Sequence, residues 1–113
     1  MIARCVYLEG SIEDSRKKEF EKFLIDEIVP LMKRFPGVLA VRVMTALQVE
    51  DEGRNLCISF ESMYPDLATM EFAFTQPIRG MLKKKLSEII PLFHGRMFHI
   101  TQNVLVEECL GTK

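Results

Sequence analysis

Paired cysteines are the first thing this chain lacks. Its three, Cys5, Cys57 and Cys109, are odd in number, lie far apart and show no C-x-x-C spacing. That speaks against a disulfide framework and against a zinc site. Long apolar runs are missing as well: no stretch approaches the ~18 residues needed to cross a bilayer. The N-terminus, Met1-Ile2-Ala3-Arg4-Cys5, has no basic region followed by a continuous apolar one. No signal peptide is visible there, and a cytoplasmic location is the expectation. Charge of one sign is also scarce. Fifteen Lys+Arg stand against 16 Asp+Glu, for a net −1, so no field steers the chain towards nucleic acid or a membrane, and neither partner is expected. The single basic run, Lys83-Lys84-Lys85, reads as a solvated helix face. No solenoid repeat, low-complexity segment, Gly-rich phosphate loop, Ser-His-Asp order or pair of catalytic carboxylates can be assembled.

What is present is the composition of a globular domain. Hydrophobic residues make up 48% of the 113 and charged residues 27%, and the length predicts a single domain over 1–113. The segment 2–8 is apolar on both parities, as in a central strand covered on both faces. Ser11 and Asp14 have capping-box spacing, and a helix is expected from about Ile12 to Arg34, with Phe20, Leu24, Ile28, Leu31 and Phe35 as its stripe. Pro30 should kink or loosen its last turns, and Pro36-Gly37 should end it. Val38 to Gln48 and Arg54 to Glu61 alternate as strands about the polar turn Val49 to Gly53. Ser62 is a candidate cap for a second helix striped by Leu67, Met70 and Phe74. "TQP" breaks that helix, and Pro77 suits the first position of its continuation, which carries Ile78, Leu82, Leu86, Ile89, Ile90 and Phe93. Pro91 and Gly95 should stop it, and Arg96 to Val106 is the expected last strand, followed by a tail.

The order β-α-β-β-α-β is that of an α+β, ferredoxin-like fold, a four-stranded antiparallel sheet with its helices on one face. The uncovered face then needs a partner. Leaving a sheet face wet forfeits roughly 25 cal/mol per Å2 of apolar surface, and a two-fold, self-complementary interface removes that loss.

On the stretches "FLIDEIVPLMKRFPGV", "ISFES", "FAFTQP" and "FHGRMFHI", the chain resembles the dimeric α/β-barrel superfamily. That superfamily includes the EthD-like proteins and the small antibiotic-biosynthesis monooxygenases. The resemblance spans roughly residues 2 to 106 and carries no catalytic signature. It implies a homodimer whose sheets close face to face, a pocket between sheet and helices in each subunit, and a small hydrophobic, often aromatic, ligand handled without metal, flavin or other cofactor. Some relatives degrade haem, and the fold alone does not choose among these activities.

The residues themselves supply few candidates for chemistry. His94 and His99 differ in parity, so in a strand without a bulge they point to opposite faces and do not chelate one metal. His99 shares its face with Met97, Thr101 and Asn103. It is either part of a polar seam or a general base on a pocket wall, because a neutral imidazole titrates near 6.5. His94, beside Gly95, reads first as an exposed turn residue and is kept among the ligand-binding candidates. Arg42 in mid-strand must meet an anion, either Glu61 or Glu50 in a salt bridge or a ligand carboxylate or enolate. Arg4 invites the same two readings. Tyr7 either packs at a rim or donates to a carbonyl. Met44, Phe60, Met70 and Phe74 are core residues that could also line an apolar cavity. The expectation is therefore a small-molecule-binding homodimer with His99, Arg42 and Tyr7 as the catalytic candidates for a cofactor-independent oxidation, isomerisation or cyclisation. The alternatives are a non-catalytic accessory or carrier protein of the same fold, or a haem-binding relative. Whether the chain is an enzyme at all stays open at this level.

Overall fold

In the computed structural model, which describes residues 1–111, four antiparallel strands form one sheet in the order β2-β3-β1-β4. They are β1 (Ile2–Ile12), β2 (Ala40–Thr45), β3 (Leu56–Tyr64) and β4 (Phe93–Asn103). This is the ferredoxin-like arrangement expected from the element order. Helical segments α1 (Lys17–Phe23), α2 (Val29–Met32), α3 (Leu67–Ala73) and α4 (Pro77–Leu86) pack on one face. β1 is central, paired with β3 on one side and β4 on the other. Its double-sided apolar pattern follows from that position.

The boundaries depart from the sequence expectation in ways that have physical causes. Ile12 does not start a helix; it ends β1, is 5% exposed and sits in the core. The Ser11–Asp14 box therefore does not form, and a 3-10 turn over Asp14–Arg16 leads into α1. The stripe Phe20, Leu24 and Ile28 is buried as expected. Between α1 and α2 the chain widens into a π-helical turn, Leu24–Ile28. Pro30 has no N–H to return to the carbonyl four residues back, and a π turn absorbs such a lost bond by admitting an extra residue. Gly37 takes φ +83, the left-handed exit expected of it, and a Cβ there would meet Thr69 Cγ2 at 2.3 Å. Ser62 stays inside β3; the cap of α3 is Asp66, whose carboxylate accepts from the Thr69 N–H at 2.7 Å. Pro77 opens α4 as expected.

β4 begins at Phe93, three residues earlier than expected, because Gly95 lies within the ladder rather than at the end of the preceding helix. Gly95 faces Gly10 of β1. A Cβ on Gly10 would lie 2.1 Å from the His94 carbonyl oxygen, and one on Gly95 would lie 2.2 Å from that of Glu9. Two facing glycines let the strands close there. On the β3 side, β1 carries a register shift after Leu8, which pairs with Ile58 while Glu9 pairs with Leu56.

The helix-side core has two clusters. One gathers Leu8, Phe20, Leu24, Ile28, Ile58 and Phe60; the other gathers Ile2, Phe35, Tyr64, Met70, Ala73 and Ile78, and Leu82 packs against both. The face without helices is mixed in character. Tyr7 stacks on Phe98 with centroids 5.3 Å apart, and Met44 and Ile100 are exposed beside them. Two ionic ladders cross the same face. Arg42 meets Glu61 at 2.7 Å, and Glu9 binds both Arg96, at 2.7 Å, and Arg54, at 3.0 Å.

Candidate functional site

Between sheet and helices lies a cavity of about 540 Å3. Its floor is the even-numbered face of β1 and β3, with Arg4 and Val6 from the first and Phe60, Ser62 and Tyr64 from the second. Ile28 and Met32 close one side and Leu82 and Leu86 of α4 the other. Phe74, just beyond α3, stands at one end with Arg79, and Met97 and His99 of β4 complete the wall. A volume in this range, with apolar walls and a few grouped polar side chains, is what small-molecule sites have in common.

His99 reaches this cavity by register. It pairs with Val6 across an uninterrupted β1–β4 ladder, so its side chain joins Val6 on the helix side. Its pKa lies below the ordinary imidazole value, first because the ring is partly desolvated and then because Arg4, Arg79 and Lys83 place like charge around it. The neutral imidazole is therefore the form present at pH 7, able to accept a proton or to coordinate.

The aromatic end is built around Phe74. Its ring meets Phe35 edge-on at 5.7 Å and Tyr64 at 6.1 Å, an arrangement that holds its orientation. The guanidinium carbons of Arg4 and Arg79 each lie 4.9 Å from its centroid. Arg79 also donates to the Phe74 carbonyl at 3.5 Å. Burial, and then the charge of Arg79, lowers the Arg4 pKa from its ordinary value. Burial raises that of Tyr64, so its hydroxyl stays protonated.

The candidates named from sequence separate into two groups. His99, Phe60 and Phe74 line the cavity. Arg42 and Tyr7 do not: both have the parity of the uncovered face, where Arg42 is paired with Glu61 and Tyr7 stacks on Phe98. They share no cavity with His99, because one residue of offset in a strand reverses the face. Met44 lies on that same open face, and Met70 is buried in the second core cluster away from the cavity wall. His94 is not in a turn; it pairs with Ser11 inside β4 and is exposed on the open side. The residues that sequence reasoning missed are Arg79, Lys83, Ser62 and Tyr64. A signal did exist on α4. Arg79 and Lys83 are four apart and flank Leu82 and Leu86, so they share the edge of its apolar stripe. Lys83 is thus turned towards the cavity, while Lys85 pairs with Glu27 at 3.2 Å.

No protein-family model and no curated protein matches the sequence. Solved structures do match the fold. An EthD family protein from Bacillus halodurans C-125 superposes with a TM-score of 0.73 at 15% identity, over 93% of this chain and all (100%) of that one. An antibiotic biosynthesis monooxygenase gives 0.63 at 13% identity, covering 94% of this chain and 100% of its own. A dimeric protein of unknown function and ferredoxin-like fold from Bacteroides fragilis gives 0.61 at 15% identity, covering 91% and 96%. The chain therefore has the fold of the superfamily it resembles in sequence pattern. At these identities the likeness is one of fold.

Proposed function

We propose that the protein is a homodimer that binds a small hydrophobic, aromatic-type metabolite in the cavity between sheet and helices and transforms it without a cofactor, His99 acting as general base. The observation that carries this reading is the cavity of about 540 Å3 with His99 on an otherwise largely apolar wall. An imidazole held neutral at pH 7 beside such a wall suits abstraction of a proton next to a carbonyl or from a phenol, the first step of isomerisation or cyclisation, or of oxidation of the resulting anion by dioxygen as co-substrate. Arg42 and Tyr7 take a different part: with Phe98, Ile100 and Met44 they belong to the surface on which a second copy closes. The dimeric description of the Bacteroides fragilis neighbour supports that pairing.

The test is a thermal-shift screen of aromatic and polyketide-like compounds, followed by absorbance assays on those that raise the melting temperature. Leu86→Trp, which fills the cavity, should abolish the shifts. His99→Gln should keep binding and lose turnover. Turnover unchanged in His99→Gln removes His99 from the mechanism, and binding without any product in the unmodified protein leaves a carrier. One observation favours a haem reading as the second choice: His99 faces the helix side, the orientation an axial ligand needs. A Soret band on adding haemin that His99→Gln removes would select it.

A further inference from the structure

The charge on the cavity wall is lopsided. Over the chain, 15 basic residues balance 16 acidic ones, yet the lining contains Arg4, Arg79 and Lys83 and no Asp or Glu. Elsewhere on the described surface many cations have carboxylate partners, Arg16 with Glu19, Lys22 with Asp26, Arg42 with Glu61, Arg96 with Glu9 and Lys85 with Glu27, and those without one, Lys18, Lys33, Arg34 and Lys84, are exposed to water. Among the described residues no salt bridge is formed by Arg4, Arg79 or Lys83. Both arginines are half-buried, and their common neighbour is the face of a phenyl ring 4.9 Å away. Two guanidiniums against one ring, with each other's charge unrelieved, keep most of their N–H donors unspent. Ser62 and Tyr64 add hydroxyls to the same wall.

Resting on the ligand-binding reading above, we infer that the cavity selects an amphipathic organic anion, its carboxylate or enolate oxygen held by Arg4 and Arg79 beside Phe74 and its apolar body lying along Val6, Phe60 and Leu82. A guanidinium donates two parallel bonds to such a group, and a planar ligand can extend the stack begun by Phe74. Lys83, exposed at the edge, supplies long-range attraction more than a bond. The arrangement also fits the proposed chemistry, because an oxyanion formed by proton loss to His99 would lie beside fixed positive charge.

Two dyes of nearly one shape separate the claims: 8-anilinonaphthalene-1-sulfonate, which is anionic, and N-phenyl-1-naphthylamine, its neutral counterpart. Fluorescence titration of the intact protein should show the anionic dye binding at least roughly tenfold tighter, the range of one or two charge-assisted bonds. Arg79→Gln should weaken the anionic dye by roughly tenfold and leave the neutral one within about a factor of two. Lys83→Gln, at an exposed site that folding does not depend on, should reduce the anionic dye's affinity by a smaller factor and only at low salt. 2-Naphthoate should displace the anionic dye, and its methyl ester should not. If both dyes bind alike and neither variant separates them, the anion site is wrong while the cavity reading stands. If neither dye binds the unmodified protein, both are wrong.

Discussion

Replacing Gly10 by alanine tests the tightest point of the sheet. Gly10 has φ +156 and Gly95, opposite it, φ +154. A methyl on Gly10 would come within 2.1 Å of the His94 carbonyl oxygen and 2.7 Å of Gly95 Cα. Both of those atoms are backbone, so no side-chain rotation relieves the overlap. Holding a non-glycine residue in this region costs about 1–3 kcal/mol. Prising β4 away far enough to seat the methyl breaks one or two ladder bonds, each worth about 1 kcal/mol. The sum is about 2–5 kcal/mol, or a fall in Tm of roughly 10–20 °C for a domain of this size. Gly80→Ala is the internal control. Gly80 lies inside α4, has no positive φ, and a Cβ there meets nothing within 4 Å. Alanine in mid-helix should therefore raise stability by about 0.5–1 kcal/mol. Urea unfolding followed by far-UV circular dichroism measures both. A Gly10→Ala protein as stable as the parent would mean that the strands do not close at this pair, and the register of β4 that aims His99 at the cavity would have to be redrawn.

Two further expectations concern the site and the assembly. The His99 imidazole should titrate below 6.5 by NMR, and Arg79→Gln should bring it part of the way back, burial and the charges of Arg4 and Lys83 accounting for the remainder. The sign follows from linkage: the folded state binds its proton less readily than the unfolded one, so His99 lowers stability as pH falls from about 6.5 through its folded pKa and has no effect above. A midpoint at or above 6.5 would refute the positive surroundings assigned to it. On the open face, Ile100→Asp should turn a dimer into a folded monomer in light scattering, since Ile100 is 41% exposed in the single chain and stands where the second copy is proposed to close. A dimer persisting unchanged would place the contact elsewhere.

Much of the fold was legible because its signals are local. Period-two alternation in 54–61 and the 3-4 spacing of Phe20, Leu24 and Ile28 report which side of each element is apolar. Pro36-Gly37 and Pro77 act through their own backbone preferences, and each did what its chemistry predicts. The errors fell where the outcome depends on distant chain. Gly95 looked like a terminator but is a contact, because Gly10 meets it from 85 positions away. Ser62 had the chemistry of a cap but lay in a strand that pairing with β1 extends to Tyr64.

The candidate site divides along the same line. Sequence alone determined that His94 and His99 part company, since parity is a local property, and it marked Arg4 and Arg42 as charges in need of an anion. Which anion each would find was decided only in three dimensions. Arg42 lies across from Glu61 in the β2–β3 register, whereas Arg4 faces α4 and meets Arg79 and Phe74 instead. Strand register sets the face on which a side chain emerges, and the packing of remote elements sets what waits there. The cavity and its uncompensated positive wall belong to that second kind of information.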